Sequence, residues 1–232
     1  MKEEKVTKKT KKTKEITTKA NKKGWHVSGL MNFLRIFVAP FIWLVYPFRF
    51  YGNKKVKDGA CIYVGNHYHW FDPIYPICTT WETIHFLAKK EIRSQPVIGF
   101  VADRMKAIWL NRDGSDVRGL MDAIKCLKNN EKINIFPEGT RNKTKEPFLP
   151  FKSGAAMLSI RTKTPIVPIL IYEKPKPFRM AHILVGDPIE FSEYYDKKLS
   201  EEDLKTVDDK ILKILIEMRE THRLALAEKK GK

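Results

Sequence analysis

The chain has few cysteines, and their positions exclude the commonest cysteine-based frameworks. Only three of the 232 residues are cysteine, and they lie far apart, at Cys61, Cys78 and Cys126. An odd and widely spaced set does not predict a disulfide framework, and no C-x-x-C pair is present to hold zinc. The simplest interpretation is an intracellular protein whose thiols stay reduced, because disulfides persist mainly in oxidising compartments.

Acidic residues are scarce relative to basic ones. The chain has 27 Asp and Glu against 44 Lys and Arg, which gives a formal net charge of +17. Such a charge predicts attraction to an anionic partner, which is an acidic membrane surface, a phosphorylated substrate or nucleic acid. We do not expect nucleic acid, because the sequence has no RNA-binding signature and no interleaving of basic and aromatic residues.

No apolar run is long enough to cross a bilayer unaided. The longest uninterrupted run covers residues 36–48, between Arg35 and Arg49, and it contains two prolines. A spanning helix needs about 20 apolar residues. Three aromatic residues in and after the run suit the membrane interface, namely Trp43, Tyr46 and Tyr51. We therefore predict that residues 25–52 form short helices lying in the interface. A tilted spanning anchor and a helix buried in the core are the alternatives.

Composition divides the chain into three parts. Residues 1–24 are rich in lysine and nearly free of apolar side chains, so we expect a disordered tail. Residues 25–52 are the expected membrane-associating helical segment. Residues 53–232 alternate strand-like and helical patterns, which indicates an α/β domain with a central sheet flanked by helices. The strand-like runs are 61–64, 84–87, 107–110, 133–136, 166–171 and 182–185. The last helix should begin with a capping box of Ser200 and Asp203.

The densest chemical signal follows the first strand of this domain. The stretch GNHYHWFDP, residues 65–73, contains His67 and, five residues later, Asp72. A histidine can act as a general base when a carboxylate fixes its tautomer. Ligands of open α/β sheets bind beyond the carboxyl ends of strands, so this loop is a candidate active site. Two alternatives stay open. Asp72 can cap a helix instead. A metal-dependent hydrolase can use His67, His69 and Asp72 as ligands.

A second signal follows the predicted strand 133–136. The string FPEGTR occupies residues 136–141. Glu138 can accept a substrate hydroxyl or orient an arginine, and Gly139 permits a tight turn that points backbone N–H groups outward. Arg141 offers a planar fork of donors suited to phosphate. The alternative is an ordinary surface turn.

Together, His67-x4-Asp72 and FPEGTR resemble the 1-acylglycerol-3-phosphate acyltransferase family, and weaker similar blocks lie at 86–92, 108–112, 151–155 and 166–169. The resemblance implies a mixed sheet between helices. It also implies that His67 deprotonates an acceptor hydroxyl while Asp72 orients it. The substrate-binding residues that it implies are Lys90, Arg112, Glu138, Gly139, Thr140 and Arg141. One departure is His69, which stands where the family usually has serine.

The resemblance predicts acyl transfer to the free hydroxyl of 1-acylglycerol 3-phosphate, giving phosphatidic acid in phospholipid biosynthesis. Another lysolipid or glycerol 3-phosphate is the alternative acceptor. A non-enzymatic binder of anionic lipid is the rival of a different class. We expect no cofactor and no metal, with acyl-CoA or acyl-carrier protein as the co-substrate. The expected location is the cytoplasmic face of the cell membrane, with peripheral or monotopic attachment to its anionic surface.

Overall fold

The computed structural model, which describes residues 29–53, 56, 58–111, 117–152 and 154–230, contains a mixed β-sheet. Its strands are β1 (Phe48–Gly52), β2 (Ile62–Val64), β3 (Ile84–Lys89), β4 (Ile108–Leu110), β5 (Lys132–Ile135), β6 (Ile166–Ile171) and β7 (Ala181–Val185). These seven strands have the order β1-β7-β6-β2-β5-β3-β4. Neighbouring strands are parallel except β6 and β7, which are antiparallel.

Helices flank this sheet, as the sequence predicts. The α-helices are α1 (Gly29–Phe33), α2 (Ala39–Val45), α3 (Ile74–Ile77), α4 (Pro96–Arg104), α5 (Val117–Lys128), α6 (Gly154–Thr162) and α7 (Glu201–Lys230). A π-helical turn (Leu34–Val38) joins α1 to α2, and 3₁₀ turns lie at Lys90–Ser94 and Ser192–Tyr194. The predicted capping box precedes α7, because Ser200 N donates to Asp203 Oδ2 at 2.9 Å and Asp203 N donates to Ser200 Oγ at 3.1 Å.

The central strands are buried on both faces. Every residue of β2, β5 and β6 is buried, which is typical of strands covered by helices on both sides. On one face, Tyr63 and Ile84 pack with apolar residues of α1 and α3. On the other face, Ile62 and Ile133 pack with those of α5, α6 and α7. Because helices close both faces, the ends of the strands are where polar side chains are free to do chemistry.

The predicted membrane-associating segment is helical only in part. Residues 29–45 form short helices, and the π-helical turn ends just before Pro40, which lacks the N–H needed for regular hydrogen bonding. The predicted helical segment extends to residue 52, but that is wrong for residues 48–52, which pair with β7 as strand β1. Their aromatic-rich sequence suits a strand. No described helix is long and apolar enough to cross a bilayer. The predicted tail, residues 1–24, lies outside the described residues.

Arg35 fastens the helical segment to the domain. Its guanidinium donates to the carbonyls of Ile77 and Glu82 at 2.7 and 2.8 Å, and to Asn32 Oδ1 at 2.8 Å. Ile77 is the last residue of α3, so its carbonyl has no partner within that helix. The two charge-assisted hydrogen bonds to Ile77 and Glu82 therefore hold the segment against the sheet domain, and the bond to Asn32 orients the guanidinium within the segment.

Candidate active site

Two loops meet at the carboxyl ends of β2 and β5, which are neighbouring parallel strands. The first loop carries His67, and the second begins with FPEGTR at residues 136–141. The backbone N–H of Asn142 donates to the carbonyl of His67 at 2.6 Å. The hydroxyl of Tyr68 donates to the carbonyl of Pro147 at 3.0 Å. The fold thus brings the two sequence motifs together, because parallel neighbours end at the same edge of a sheet.

Gly65 and Asn66 determine how the first loop leaves β2. A Cβ atom on Gly65 would lie 2.1 Å from the carbonyl oxygen of Ile169, so only glycine fits against this strand. The buried amide of Asn66 then donates to the carbonyl of Ile171 and accepts from its N–H, both at 2.9 Å. This side chain takes the place of a further backbone pair, and the main chain is free to turn at His67.

His67 and Asp72 form a direct pair. His67 Nδ1 lies 2.8 Å from Asp72 Oδ2, and the same oxygen accepts the N–H groups of Tyr68 and His69 at 2.6 and 2.7 Å. Asp72 is only 1% exposed. The His67 ring stacks on Phe136 with centroids 4.1 Å apart. A carboxylate fixed in this way favours a proton on Nδ1 and leaves the Nε2 lone pair of His67 to accept another.

Glu138 connects the two loops from a buried position. It is 3% exposed, and its Oε1 accepts the N–H of His67 at 3.2 Å. Burial raises the pKa of Glu138 to about 7, although the backbone N–H groups of His67 and Leu149 oppose this, and the charge of Asp72 raises it further. A buried carboxyl with a pKa raised in this way is typical of functional sites, although structural networks also produce such shifts.

We expect Glu138→Gln to remove a pH-dependent loss of stability. Below its ordinary pKa of 4.5, Glu138 is protonated in both the folded and unfolded states. Above its folded pKa of about 7, it is charged in both, and only the fold bears the cost of burying that charge. Stability therefore falls as the pH rises between these values, by at most about 3 kcal/mol.

Thermal unfolding across this pH window checks the expectation. The difference in Tm between Glu138→Gln and wild type should grow in favour of the variant as the pH rises from about 4 to about 8. Glu146→Gln is the matched control, because Glu146 is exposed in the same loop. A constant difference in Tm for Glu138→Gln would mean that no buried charge is formed there.

The FPEGTR turn depends on Gly139. This residue has a φ of +63°, in the left-handed region that favours glycine, and its N–H donates to the carbonyl of Phe136 at 2.9 Å. The Lys152 side chain passes over the turn, 3.5 Å from where a Cβ of Gly139 would lie. Thr140 and Arg141 are exposed at this turn, so the donors of Arg141 are open to a ligand.

Positive charge gathers around His69. Burial lowers the pKa of His69, the charge of Asp72 opposes this, and the charges of Arg141 and Lys174 lower the pKa further. Lys174 lies in the connection from β6 to β7, far from either motif in the sequence, so no sequence pattern indicated it. The charges of Arg141 and Lys174 therefore act near the His67–Asp72 pair, where cationic groups can attract an anionic ligand.

Lys90 and Arg112 are the two other basic residues predicted to bind the substrate. Lys90 is exposed at the start of the 3₁₀ turn after β3. It lines a separate groove of about 700 Å³ that runs along β4 and α5 and includes Trp109 and Cys126, which we call the β4–α5 groove. Arg112 lies outside the described residues. The binding roles of Lys90 and Arg112 therefore stay predictions.

His69 does not join a metal-ligand set. Its Nδ1 is buried without a hydrogen-bond partner, and its ring packs on Phe71 and Tyr46 with centroids 4.1 and 5.5 Å apart. Within the described part of the chain, His67, His69 and Asp72 do not bring three ligand atoms together. No side chain caps α3 either, so the capping role for Asp72 is not observed. The geometry favours the base-and-orienter interpretation over the metal hydrolase.

Comparison with known proteins identifies similar sequences. The profile of the family described as Acyltransferase matches residues 47–172. The chain is 35% identical over 123 residues to a chloroplastic 1-acyl-sn-glycerol-3-phosphate acyltransferase of Brassica napus, covering 51% of this chain and 35% of that protein. It is 34% identical over 124 residues to a 1-acyl-sn-glycerol-3-phosphate acyltransferase of Helicobacter pylori, covering 52% of each. The chain thus spans about half, or less, of the length of these curated relatives.

A solved structure is similar over more of the chain. The crystal structure of the 1-acyl-sn-glycerophosphate acyltransferase of Thermotoga maritima has a TM-score of 0.59 and 25% sequence identity to this chain. The similarity covers 90% of this chain and 82% of that one. It therefore extends beyond the segment that the family profile matches.

Proposed function

The chain belongs to the Acyltransferase family, and we propose that it moves a fatty acyl group from a thioester donor to the free hydroxyl of 1-acylglycerol 3-phosphate, giving phosphatidic acid. The observation that carries this proposal is the His67–Asp72 pair, 2.8 Å apart, beside a turn that presents Arg141. The activities named for the relatives from Brassica napus and Helicobacter pylori support the same acceptor.

The arrangement of His67 and Asp72 supports direct transfer. Nε2 of His67 takes the proton of the acceptor hydroxyl as the hydroxyl oxygen attacks the thioester carbon. Asp72, fixed by two backbone N–H groups, stabilises the imidazolium that forms. When the tetrahedral intermediate collapses, the carbon–sulfur bond breaks and the imidazolium returns its proton to the leaving thiolate. The enzyme ends the cycle in its starting protonation state.

The cysteines do not favour a covalent acyl-enzyme. Cys61 and Cys126 are buried, and Cys78 is partly buried. Burial raises the pKa of Cys61 and of Cys78 to about 11, and it also raises the pKa of Cys126. Because the thiolate is the nucleophile, thiols with raised pKa values are poor candidates for attack on a thioester.

A panel of acceptors tests the proposal. The full chain is incubated with labelled acyl-CoA or acyl-carrier protein and with 1-acylglycerol 3-phosphate, glycerol 3-phosphate, a lysophosphatidylcholine or a monoacylglycerol. Thin-layer chromatography should show label in phosphatidic acid. A higher kcat/KM with another acceptor would overturn the proposed substrate. Thioester hydrolysis that is independent of acceptor would overturn acyl transfer itself.

We also propose that the protein binds the anionic cytoplasmic face of the cell membrane through an apolar face on α1, the π-helical turn and α2. This apolar face consists of the exposed residues Phe33, Ile36, Phe37, Phe41, Trp43 and Leu44. Contiguous exposed apolar side chains of this kind are typical of interaction sites. The segment adjoins the active site, because Tyr46 packs on His69 and Phe71 with centroids 5.5 and 4.7 Å apart. A lysolipid held in the membrane would thereby lie near His67.

Charged substitutions on the apolar face should weaken binding to vesicles. Burying one Phe side chain contributes roughly 1.5–3 kcal/mol, so Phe37→Glu with Phe41→Glu should lower the partition coefficient at least about tenfold at both low and high salt. Co-sedimentation with vesicles of phosphatidylcholine and phosphatidylglycerol measures this. Leu224→Glu is the matched control, because Leu224 is 54% exposed on α7. Equal losses in both variants would show that the apolar face is not the membrane contact.

A further inference from the structure

Three potential metal ligands converge at the end of the sheet opposite His67. His85 is the second residue of β3, Cys126 lies in the last turn of α5, and Glu131 directly precedes β5. The imidazole nitrogen, the thiol sulfur and the carboxylate oxygen that they offer all lie within 4.8 Å of one another. His85 and Cys126 are each 6% exposed. All three also line the β4–α5 groove, through which solvent reaches them.

The histidine of this cluster is oriented as a metal ligand. His85 Nδ1 lies 3.0 Å from the carbonyl oxygen of Lys106, which accepts the Nδ1 proton and leaves Nε2 with a lone pair. Nε2 lies 3.2 Å from Glu131 Oε2, yet it makes no well-aligned hydrogen bond there. Metal-bound histidines usually donate their second ring nitrogen to a carbonyl or carboxylate in this manner.

The distances and ligand types fit zinc. With zinc bonds of about 2.0–2.1 Å to nitrogen or oxygen and about 2.3 Å to sulfur, tetrahedral ligand atoms lie roughly 3.3–3.6 Å apart. His85 Nε2 and Glu131 Oε2 are 3.2 Å apart, close to this range. The distances from the Cys126 sulfur to the other two ligand atoms are at most 4.8 Å, so a small side-chain movement would bring the sulfur into range. A set of imidazole, thiolate and carboxylate suits zinc, and water from the groove can supply the fourth ligand.

The charges around the cluster set what a bound cation must overcome. The Cys126 thiol donates a hydrogen bond to the Glu131 carboxylate. A divalent cation would have to displace that thiol proton and outweigh the basic residues that line the groove, among them Lys106, Arg118 and Lys125.

We propose that His85, Cys126 and Glu131 bind one Zn²⁺ ion that stabilises the β3–α5–β5 end of the sheet. The ion takes no part in the proposed acyl transfer, because the site lies at the opposite end of the strands from His67 and Asp72. It does not depend on the proposed acyl transfer. Sequence spacing gave no sign of it, since its ligands come from three separate elements and no two of them form a short motif.

The experiment uses the full chain without a histidine tag, purified in a reducing buffer, reconstituted with ZnCl₂ and then passed through a desalting column. Elemental analysis should find about one zinc per chain in wild type and less than about a tenth of that in Cys126→Ser and His85→Gln. Cys78→Ser is the matched control and should keep its zinc, as should His67→Ala. Removal of zinc should lower Tm in wild type and in Cys78→Ser but not in Cys126→Ser.

If a substitution prevents folding, the wild-type protein can still test the proposal. Replacement of zinc by Co²⁺ should give the near-ultraviolet charge-transfer absorption of a thiolate–cobalt bond. No bound zinc after reconstitution, or a cobalt form without this absorption, would overturn the proposal. Zinc retained by a folded Cys126→Ser variant would equally overturn it.

Discussion

Replacing His67 with alanine should lower kcat/KM for acyl transfer by about 10²–10⁴-fold, which is the usual contribution of a general base. The fold should survive the change. His67 lies in a loop, and Asp72 Oδ2 would keep its two backbone N–H donors, from Tyr68 and His69, so no buried carboxylate is left unpaired. Initial rates with 1-acylglycerol 3-phosphate, together with thermal unfolding, measure both expectations.

Two further measurements separate a base from a merely structural residue. Added imidazole should restore part of the activity of His67→Ala, because a small base can enter the space that the ring leaves. Asp72→Asn should lose activity on a comparable scale, since a neutral amide cannot stabilise the imidazolium. If folded His67→Ala keeps more than about a tenth of wild-type kcat/KM, general base catalysis by His67 is wrong.

The parts of the fold and site that sequence predicts well are those set by local patterns. Strand β6 has the predicted bounds, 166–171, because a continuous apolar run between turns leaves few alternatives. The two motifs each follow a strand, and parallel pairing of β2 with β5 places them at one edge. The position of each motif after a strand follows from local pattern, whereas the pairing of β2 with β5 is seen only in the structure.

The remaining features depend on contacts between distant segments, which a single sequence does not reveal. The backbone N–H and C=O groups of β1 find their partners in β7, which lies more than a hundred residues further along the chain. The role of Arg35 is visible only in the structure, where the carbonyls of Ile77 and Glu82 accept its protons. Lys174 has no motif at all, and only the packing of the β6–β7 connection brings its charge near His69.

Contacts between distant segments also join the two motifs into one site. Asn66 and Gly65 hold the first loop against β6, and Asn142 holds the second loop to the carbonyl of His67. Asn142 directly follows FPEGTR, and it is fully buried in spite of its polar side chain. Its N–H and that of His67, which donates to Glu138, link the His67–Asp72 pair to the turn that presents Arg141. A variant of Arg141 must therefore be compared on acceptors with and without a phosphate, to distinguish a lost contact with substrate from a displaced loop.

Arg141→Ala should weaken the use of a phosphate-bearing acceptor by about ten- to a hundredfold. A charged hydrogen bond contributes roughly 1.5–3 kcal/mol, and each 1.36 kcal/mol is a factor of ten. Arg141 is exposed beside the site, and its charge acts on His69, so it can reach a phosphate placed near His67. The loss should be seen in kcat/KM for 1-acylglycerol 3-phosphate, and a monoacylglycerol, which has no phosphate, should be affected much less.

Three further variants serve as controls for Arg141→Ala. Lys143→Ala removes an exposed charge two residues along the same loop, and it should leave kcat/KM nearly unchanged. Arg141→Lys keeps the charge but loses the planar fork of donors, so it should fall between wild type and Arg141→Ala. Because both acceptors use the same base, His67→Ala should reduce transfer to each by a similar factor. If Arg141→Ala does the same, Arg141 holds the loop in place and the phosphate is bound elsewhere.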